Sequence, residues 1–269
     1  MRLKPLAPGS APDLTDAAAK PPEDLPEKDV LRDQLDRLAD RTAKLQTALF
    51  AEGTRALLVV LQGRDAAGKD GVVRHLFGRL NPMGLELTSF KVPTPVELSH
   101  DYLWRVHKAV PAGGRIGIFN RSHYEDVLVV RVHGLVPPAV WGARYEQINA
   151  FERHLSENGV TILKFCLHVS REEQRKRLLE RLDDPEKNWK FNAADLRERD
   201  RWGDYTEAYR DALARTNTSW APWYVVPADR KPGRDLLIAE VVLETLERLK
   251  PVYPPVPQEV AQLKKLLTK

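Results

Sequence analysis

Cysteine is almost missing from this chain of 269 residues: Cys166 stands alone. A single thiol excludes a disulfide framework and a cysteine-based zinc site, and it suits a reducing cytoplasm. Long apolar runs are missing too. The longest, Ala56 to Leu61, is far short of the ~20 residues that span a bilayer, so no membrane partner is expected. The opening stretch, MRLKPLAPGSAPDL, lacks the apolar core of a secretory leader. These absences predict a cytoplasmic location. The seven histidines show no metal pattern; His100 and His107 could share a helix face, but no carboxylate pair joins them at ligand spacing. Nor is there an aromatic and basic platform of the kind that nucleic-acid binders use. Against these gaps, hydrophobic residues at 42% and charged residues at 30% allow a packed core. The net charge of +4 is compatible with an anionic ligand without demonstrating one.

Proline marks the ends. Ten of the 20 prolines fall before residue 28 or after residue 250. The segments 1–28 and 251–269 therefore read as extended arms around a domain at 29–250. Asp29 to Ala51 reads as a helix, with Leu31, Leu35, Leu38, Thr42, Leu45 and Leu49 on one stripe. That stripe suits either packing on the parent domain or a coiled-coil seam. A short amphipathic stretch, Val260 to Leu267, closes the C-terminal arm. Strand patterns at Ala56–Gln62, Leu85–Val92, Arg115–Phe119, Val160–Val169 and Trp223–Pro227 alternate with helical ones. The helices are expected at Lys69–Leu80, Val96–Val110, Ala143–Asn158, Arg171–Leu182, Ala193–Arg215 and Arg234–Lys250. This alternation predicts an α/β fold, a parallel sheet flanked by helices.

The strongest local signal is Gly63-Arg64-Asp65-Ala66-Ala67-Gly68-Lys69-Asp70-Gly71. It fits the G-x-x-x-x-G-K part of the phosphate-binding loop, with an apolar strand before it and a helix after it. Gly63 and Gly68 let backbone N–H groups turn inward, the helix adds its positive end, and Lys69 brings an ammonium to the phosphates. The Ser or Thr that usually follows the lysine as a magnesium ligand is replaced by Asp70, and Asp65 sits inside the loop. Two acids in a phosphate cradle repel the ligand unless metal or arginine offsets them. The loop thus predicts bound Mg²⁺ and nearby cations.

A second motif, Asn120-Arg121-Ser122-His123-Tyr124-Glu125-Asp126, follows the Arg115–Phe119 strand. Arg121 can face phosphate oxygens, and Glu125 or Asp126 can restore a carboxylate for metal or base chemistry. His123, inside the motif, is a candidate phosphate contact. Lys91, Arg105 and Lys108 are others, Lys91 lying near a strand's C-terminal end. Arg171 to Arg181 is dense in arginine. Arg175 shares a stripe with Arg171, and Arg177 with Arg181. Such a helix serves either as a lid over phosphates, with its segment running to about 192, or as a solvated face balanced by Glu172, Glu173 and Glu180. Cys166, in an apolar strand, reads as a buried small hydrophobe.

Taken together, GRDAAGKDG at 63–71, KVPTP at 91–95, HDYLWRVHKAVP at 100–111, IFNRSHYEDVLVVRVH at 118–133 and APWYVVPADRK at 221–231 resemble the second polyphosphate kinase family. The resemblance implies a P-loop kinase fold like that of thymidylate kinase, Mg²⁺ dependence, and reversible phosphoryl transfer between inorganic polyphosphate and nucleotides. It also implies a homo-oligomer, to which the 31–49 stripe could contribute. By the same resemblance, Asp65, Lys69 and Asp70 fall on the family's loop, and Asn120 and Arg121 on its second motif; with Glu125 of that motif and Arg177 of the arginine-rich helix, Asp65, Lys69, Asn120 and Arg121 are the expected catalytic residues. Gly63, Arg64, Ala66, Ala67, Gly68, Asp70, Gly71, Lys91, Arg105, His123, Arg175 and Arg181 are the expected phosphate or nucleotide contacts. Asp65, Asp70 and Glu125 are the expected metal ligands. The NRSHYEDV form resembles the single-domain subgroup that phosphorylates both AMP and ADP. Two rivals stand beside this reading: an ATP-dependent nucleoside monophosphate kinase, and a non-catalytic polyanion binder.

Overall fold

A computed structural model describes residues 2–7, 9–22, 24–192, 194–256 and 259–267. Five strands form one sheet: β1 (Ala56–Gly63), β2 (Leu85–Ser89), β3 (Ile116–Asn120), β4 (Val160–His168) and β5 (Trp223–Pro227). They run in the order β2-β3-β1-β4-β5, and every neighbouring pair is parallel. The helices are α1 (Lys28–Glu52), α2 (Lys69–Leu76), α3 (Pro95–Leu98), α4 (Trp104–His107), α5 (Val129–Val132), α6 (Pro138–Glu157), α7 (Arg171–Asp183), α8 (Ala194–Asp200), α9 (Trp202–Arg215), α10 (Lys231–Leu249) and α11 (Val260–Leu267).

The sequence of β1 explains the layering. All eight residues of Ala-Leu-Leu-Val-Val-Leu-Gln-Gly are buried, as a central parallel strand covered on both faces requires. Alternate side chains point to opposite faces. Leu57, Val59 and Leu61 join Leu49, Val72, Ile238 and Leu246 in one core, under α1, α2 and α10. Ala56, Leu58 and Val60 join Tyr145, Ile148, Ala212 and Leu213 in the other, under α6 and α9. The result is helix on sheet on helix.

The α1 stripe is spent inside the chain. Leu31 and Leu49 are buried, and Leu35, Leu38 and Leu45 pack against the first core. Packing on the parent domain is thus the use the structure shows for it. The predicted helix 96–110 is instead two single turns, α3 and α4. Between them Asp101 Oδ1 accepts the Leu103 N–H at 3.0 Å, a side-chain bond that competes with the helical one. The predicted helix 193–215 breaks at Arg201 into α8 and α9; its first residue, 193, lies outside the described residues, as does Pro257 of the C-terminal arm. The predicted strand 85–92 stops at Ser89, and helix α2 stops at Leu76, where a 3₁₀ turn, Phe77–Arg79, takes over.

The N-terminal arm lies against the domain. Leu6 N donates to Trp223 O at 2.7 Å, His168 Nε2 meets Thr15 O at 2.8 Å, and Asp229 N donates to Ala19 O at 3.1 Å. Pro12 and Ala19 are buried. No helix among the described residues is long and apolar enough to cross a membrane.

Candidate active site

The registers bring the carboxyl ends of the strands to one edge. Gly63 pairs with Leu167, Leu61 with Asn120, and His168 with Pro227. Ligands of open α/β sheets bind outside this edge. The chain leaves β1 at Gly63, where a Cβ would stand 2.6 Å from Leu167 O on the neighbouring strand. Ala66 holds the left-handed φ of 61°, and α2 opens at Lys69. The first N–H groups of a helix lack partners within it and carry its positive end, so the loop presents donors to an anion.

Lys69 spans the loop. Its Nζ donates to Gly63 O at 2.6 Å and to Arg64 O at 3.2 Å. Burial, followed by the neighbouring Arg121 charge, pulls its pKa down to about 8 against the pull of Asp65 and Glu125.

The second motif meets the loop residue by residue. Asn120, at the end of β3, donates from Nδ2 to Asp70 Oδ1 at 2.8 Å. Arg121 adopts φ 62° and forks between two acids. Nη2 binds Asp65 Oδ1, and Nη1 reaches Glu125 Oε2 at 3.0 Å. Glu125 above all, then Asp65, raise the guanidinium's pKa against burial. Gln174 of α7 ties the Asp65 carbonyl from Nε2 at 3.0 Å. So Asp65, Lys69, Asp70, Asn120, Arg121 and Glu125 come together as one site.

Among the described residues no group of three His, Cys, Asp or Glu side chains is placed to cage a metal unaided. The donor chemistry fits Mg²⁺, which takes one or two carboxylates and completes its shell with water and substrate phosphate. Asp65 and Asp70, one inside the loop and one on the first turn of α2, are the carboxylates that could serve. Glu125, paired with Arg121 just as Asp65 is, is a third carboxylate beside them.

Other expected contacts lie elsewhere. Arg64 turns toward α9: its guanidinium sits 3.8 Å from the centre of the Trp202 ring and donates to Trp202 O and Thr206 Oγ1. It thereby walls a cleft shared with Asp65, Arg121, Glu125, Glu198 and Tyr205. His123 faces inward, not toward the cleft. It is 1% exposed, with Nε2 3.2 Å from Glu152 Oε1. Arg175 is exposed and paired with Glu172. Arg177 does not fold over a ligand; it is buried, with Nη1 on Ala66 O and Ala67 O and Nη2 on Ala228 O and Asp229 O. Every one of its nitrogens is engaged, since Nε binds Glu173. Arg181 Nη1 reaches Asp195 at 3.3 Å, joining α7 to α8. Arg105 is buried with Nη1 on Lys91 O, while the Lys91 residue itself is exposed.

A buried ionic cluster escaped the sequence reading. Lys164 Nζ donates to Glu152 Oε2 at 2.6 Å, to Tyr124 Oη at 2.8 Å and to Thr216 O at 2.7 Å. Burial works against the Glu152 carboxylate, yet Lys164 and His123 hold its pKa low; burial also depresses Lys164. A lysine in the middle of the apolar strand ILKFCLH was the available signal, because such a charge needs a partner.

Comparison with known proteins places the chain in a family. The family model for polyphosphate kinase 2 matches residues 26–253. The chain is 56% identical over 214 residues to the AMP/ADP-polyphosphate phosphotransferase of Meiothermus ruber, covering 80% of each chain. It is 49% identical over 238 residues to the ADP-polyphosphate phosphotransferase of Rhodopseudomonas palustris, covering 84% of this chain and 81% of that one. The crystal structure of polyphosphate kinase 2 from Arthrobacter aurescens TC1 superposes with a TM-score of 0.88 at 45% identity, covering 91% and 88% of the two chains. With a loop, a second motif and a sheet order that all fit, the chain belongs to the polyphosphate kinase 2 family.

Proposed function

We propose that this protein transfers a phosphoryl group from inorganic polyphosphate to AMP and to ADP, reversibly and with Mg²⁺. The observation that carries the chemistry is the meeting of Lys69 and Arg121 with Asp65 and Asp70 at the carboxyl edge of the sheet. Phosphoryl transfer asks a protein mainly for position and charge neutralisation. Lys69 and the Arg121 fork supply positive charge at the transferring group. Asp65 and Asp70 would hold Mg²⁺, which would supply positive charge against that developing on the phosphates. No dedicated base is needed, because the acceptor is a phosphate oxygen that is already anionic. The 56% identity to a relative named for both AMP and ADP supports the two acceptors. The reading further takes the enzyme to be a cytoplasmic homo-oligomer. Light scattering of the full chain tests the second part.

Incubation of AMP with polyphosphate and Mg²⁺, in the absence of ATP, tests the donor. ADP should form. A product seen only after ATP is added would make the enzyme an ordinary nucleoside monophosphate kinase.

A further inference from the structure

Arg234, on the first turn of α10, is 1% exposed and lies directly behind the phosphate loop. Its Nη1 donates to Ala67 O at 3.1 Å. Its Nε and Nη2 both donate to Asp235 Oδ1, at 2.8 and 2.5 Å. The other oxygen of Asp235 meets His75 Nδ1 at 2.8 Å. His75 belongs to α2, the helix that the loop opens into. The chain of contacts therefore starts at a loop peptide, crosses to α10 and returns to the second turn of α2.

Two glycines of the loop motif fit around this guanidinium. A Cβ on Gly68 would fall 1.9 Å from Arg234 Nη1, and one on Gly71 would fall 3.3 Å from Nη2. Gly68 also has φ 101°, which disfavours any side chain. The close neighbour that excludes a Cβ at Gly68 is thus an arginine of the same chain.

The peptide plane converts this contact into function. In a trans peptide the C=O and N–H groups point to opposite sides. Ala67 O and Gly68 N–H share one peptide, so tying the carbonyl to Arg234 aims the N–H away from it. Arg177 Nη1 reaches the same carbonyl at 3.2 Å and leaves the same sense of rotation. A buried ion pair is poor value for stability alone, since apolar residues often replace one without loss. A task in the site is a reason to keep it.

We infer that Arg234 is a positioning residue for phosphoryl transfer: with Asp235 and His75 it holds the Ala67–Gly68 peptide so that its N–H faces the bound phosphate. The assay, though not the geometry, rests on the polyphosphate reading above. R234Q alone strands the Asp235 charge and risks misfolding, so the decisive variant is R234Q/D235N, which removes both charges together. Its thermal midpoint should lie close to that of the parent. Its kcat with polyphosphate should fall at least tenfold, while the KM for ADP changes less than threefold. R234K keeps a cation with one donor in reach of Ala67 O, and its kcat should lie between the two. Calorimetric titration with polyphosphate alone, without turnover, should show at least threefold weaker binding in R234Q/D235N. If the parent fails to turn over polyphosphate, the proposed function fails, and this binding comparison still decides the inference. Parental kcat in R234Q/D235N, R234K no faster than R234Q/D235N, or, without turnover, equal polyphosphate affinity in parent and double variant, would overturn it.

Discussion

Lys69 is where the chemistry is most sharply defined. It is buried, it bridges Gly63 O and Arg64 O, and its pKa is pulled down to about 8. Lys69→Ala removes one preorganised charge from the transition state. Losses of this kind cost ~3 kcal/mol, about two orders of magnitude in kcat. Steady-state kinetics beside a thermal melt checks that the rate falls and the fold stays. The depressed pKa also has a sign. As pH rises through about 8 the free enzyme loses the ammonium, so kcat/KM should decline there. Lys69→Arg should move the decline upward. Stability responds the other way: the unfolded chain keeps this proton to higher pH than the native one, so this group's contribution grows as pH climbs from about 8 toward the ordinary lysine range. The acids are tested separately. Asp65→Asn and Asp70→Asn should each raise the Mg²⁺ concentration needed for half-maximal turnover; an unchanged titration in both would remove them from the metal site. Loop residues were legible in the sequence because the motif ties residue type to backbone position. His123 was not, because its direction depends on Glu152, which lies on α6 and is distant in the chain.

Helix α7 shows what a pattern of charges conveals at the scale of an element. Spacing alone places Arg175 and Arg177 on different stripes without saying which stripe is buried. Packing decides it: Arg175 is exposed and Arg177 is sealed under the loop. Arg175→Ala should therefore leave activity near the parental level, since an exposed pair is worth ~0–1 kcal/mol. Arg177→Ala leaves the Ala66, Ala67, Ala228 and Asp229 carbonyls without this donor. Ala67 O keeps its Arg234 donor, but each buried group left with none costs about 1–3 kcal/mol, so the denaturant midpoint and turnover should fall together. The Glu152 and Lys164 pair links α6 to β4, with Tyr124 of the second motif between them. Lys164→Met strands a buried carboxylate and should cost roughly 3–5 kcal/mol in equilibrium unfolding; adding Glu152→Leu should recover part of it. Strand positions were readable from the sequence because both faces of β1 and β4 are apolar. The break in 96–110 was not, because it follows from a local side-chain bond that leaves no mark on hydrophobic period, and neither was the break at Arg201.

For the molecule as a whole, one sheet and two cores serve one phosphate loop. β1 feeds the loop and β3 feeds the second motif. α7 and α10 hold the loop from behind through Arg177 and Arg234. The α/β class was legible from alternation alone. The docking of the N-terminal arm was not, because proline-rich composition predicts an extended chain without saying what it lies against; here Leu6 meets Trp223 of β5, Thr15 meets His168 at the end of β4, and Ala19 meets Asp229 just after β5. The central claim is that this single site takes phosphate from polyphosphate and passes it to AMP and then to ADP. It is tested most directly by a time course of AMP, polyphosphate and Mg²⁺ with the full chain, with nucleotides separated by chromatography. ADP should rise first and then fall as ATP accumulates, with no ATP supplied at the start. AMP left unchanged while polyphosphate and Mg²⁺ are plentiful would contradict it.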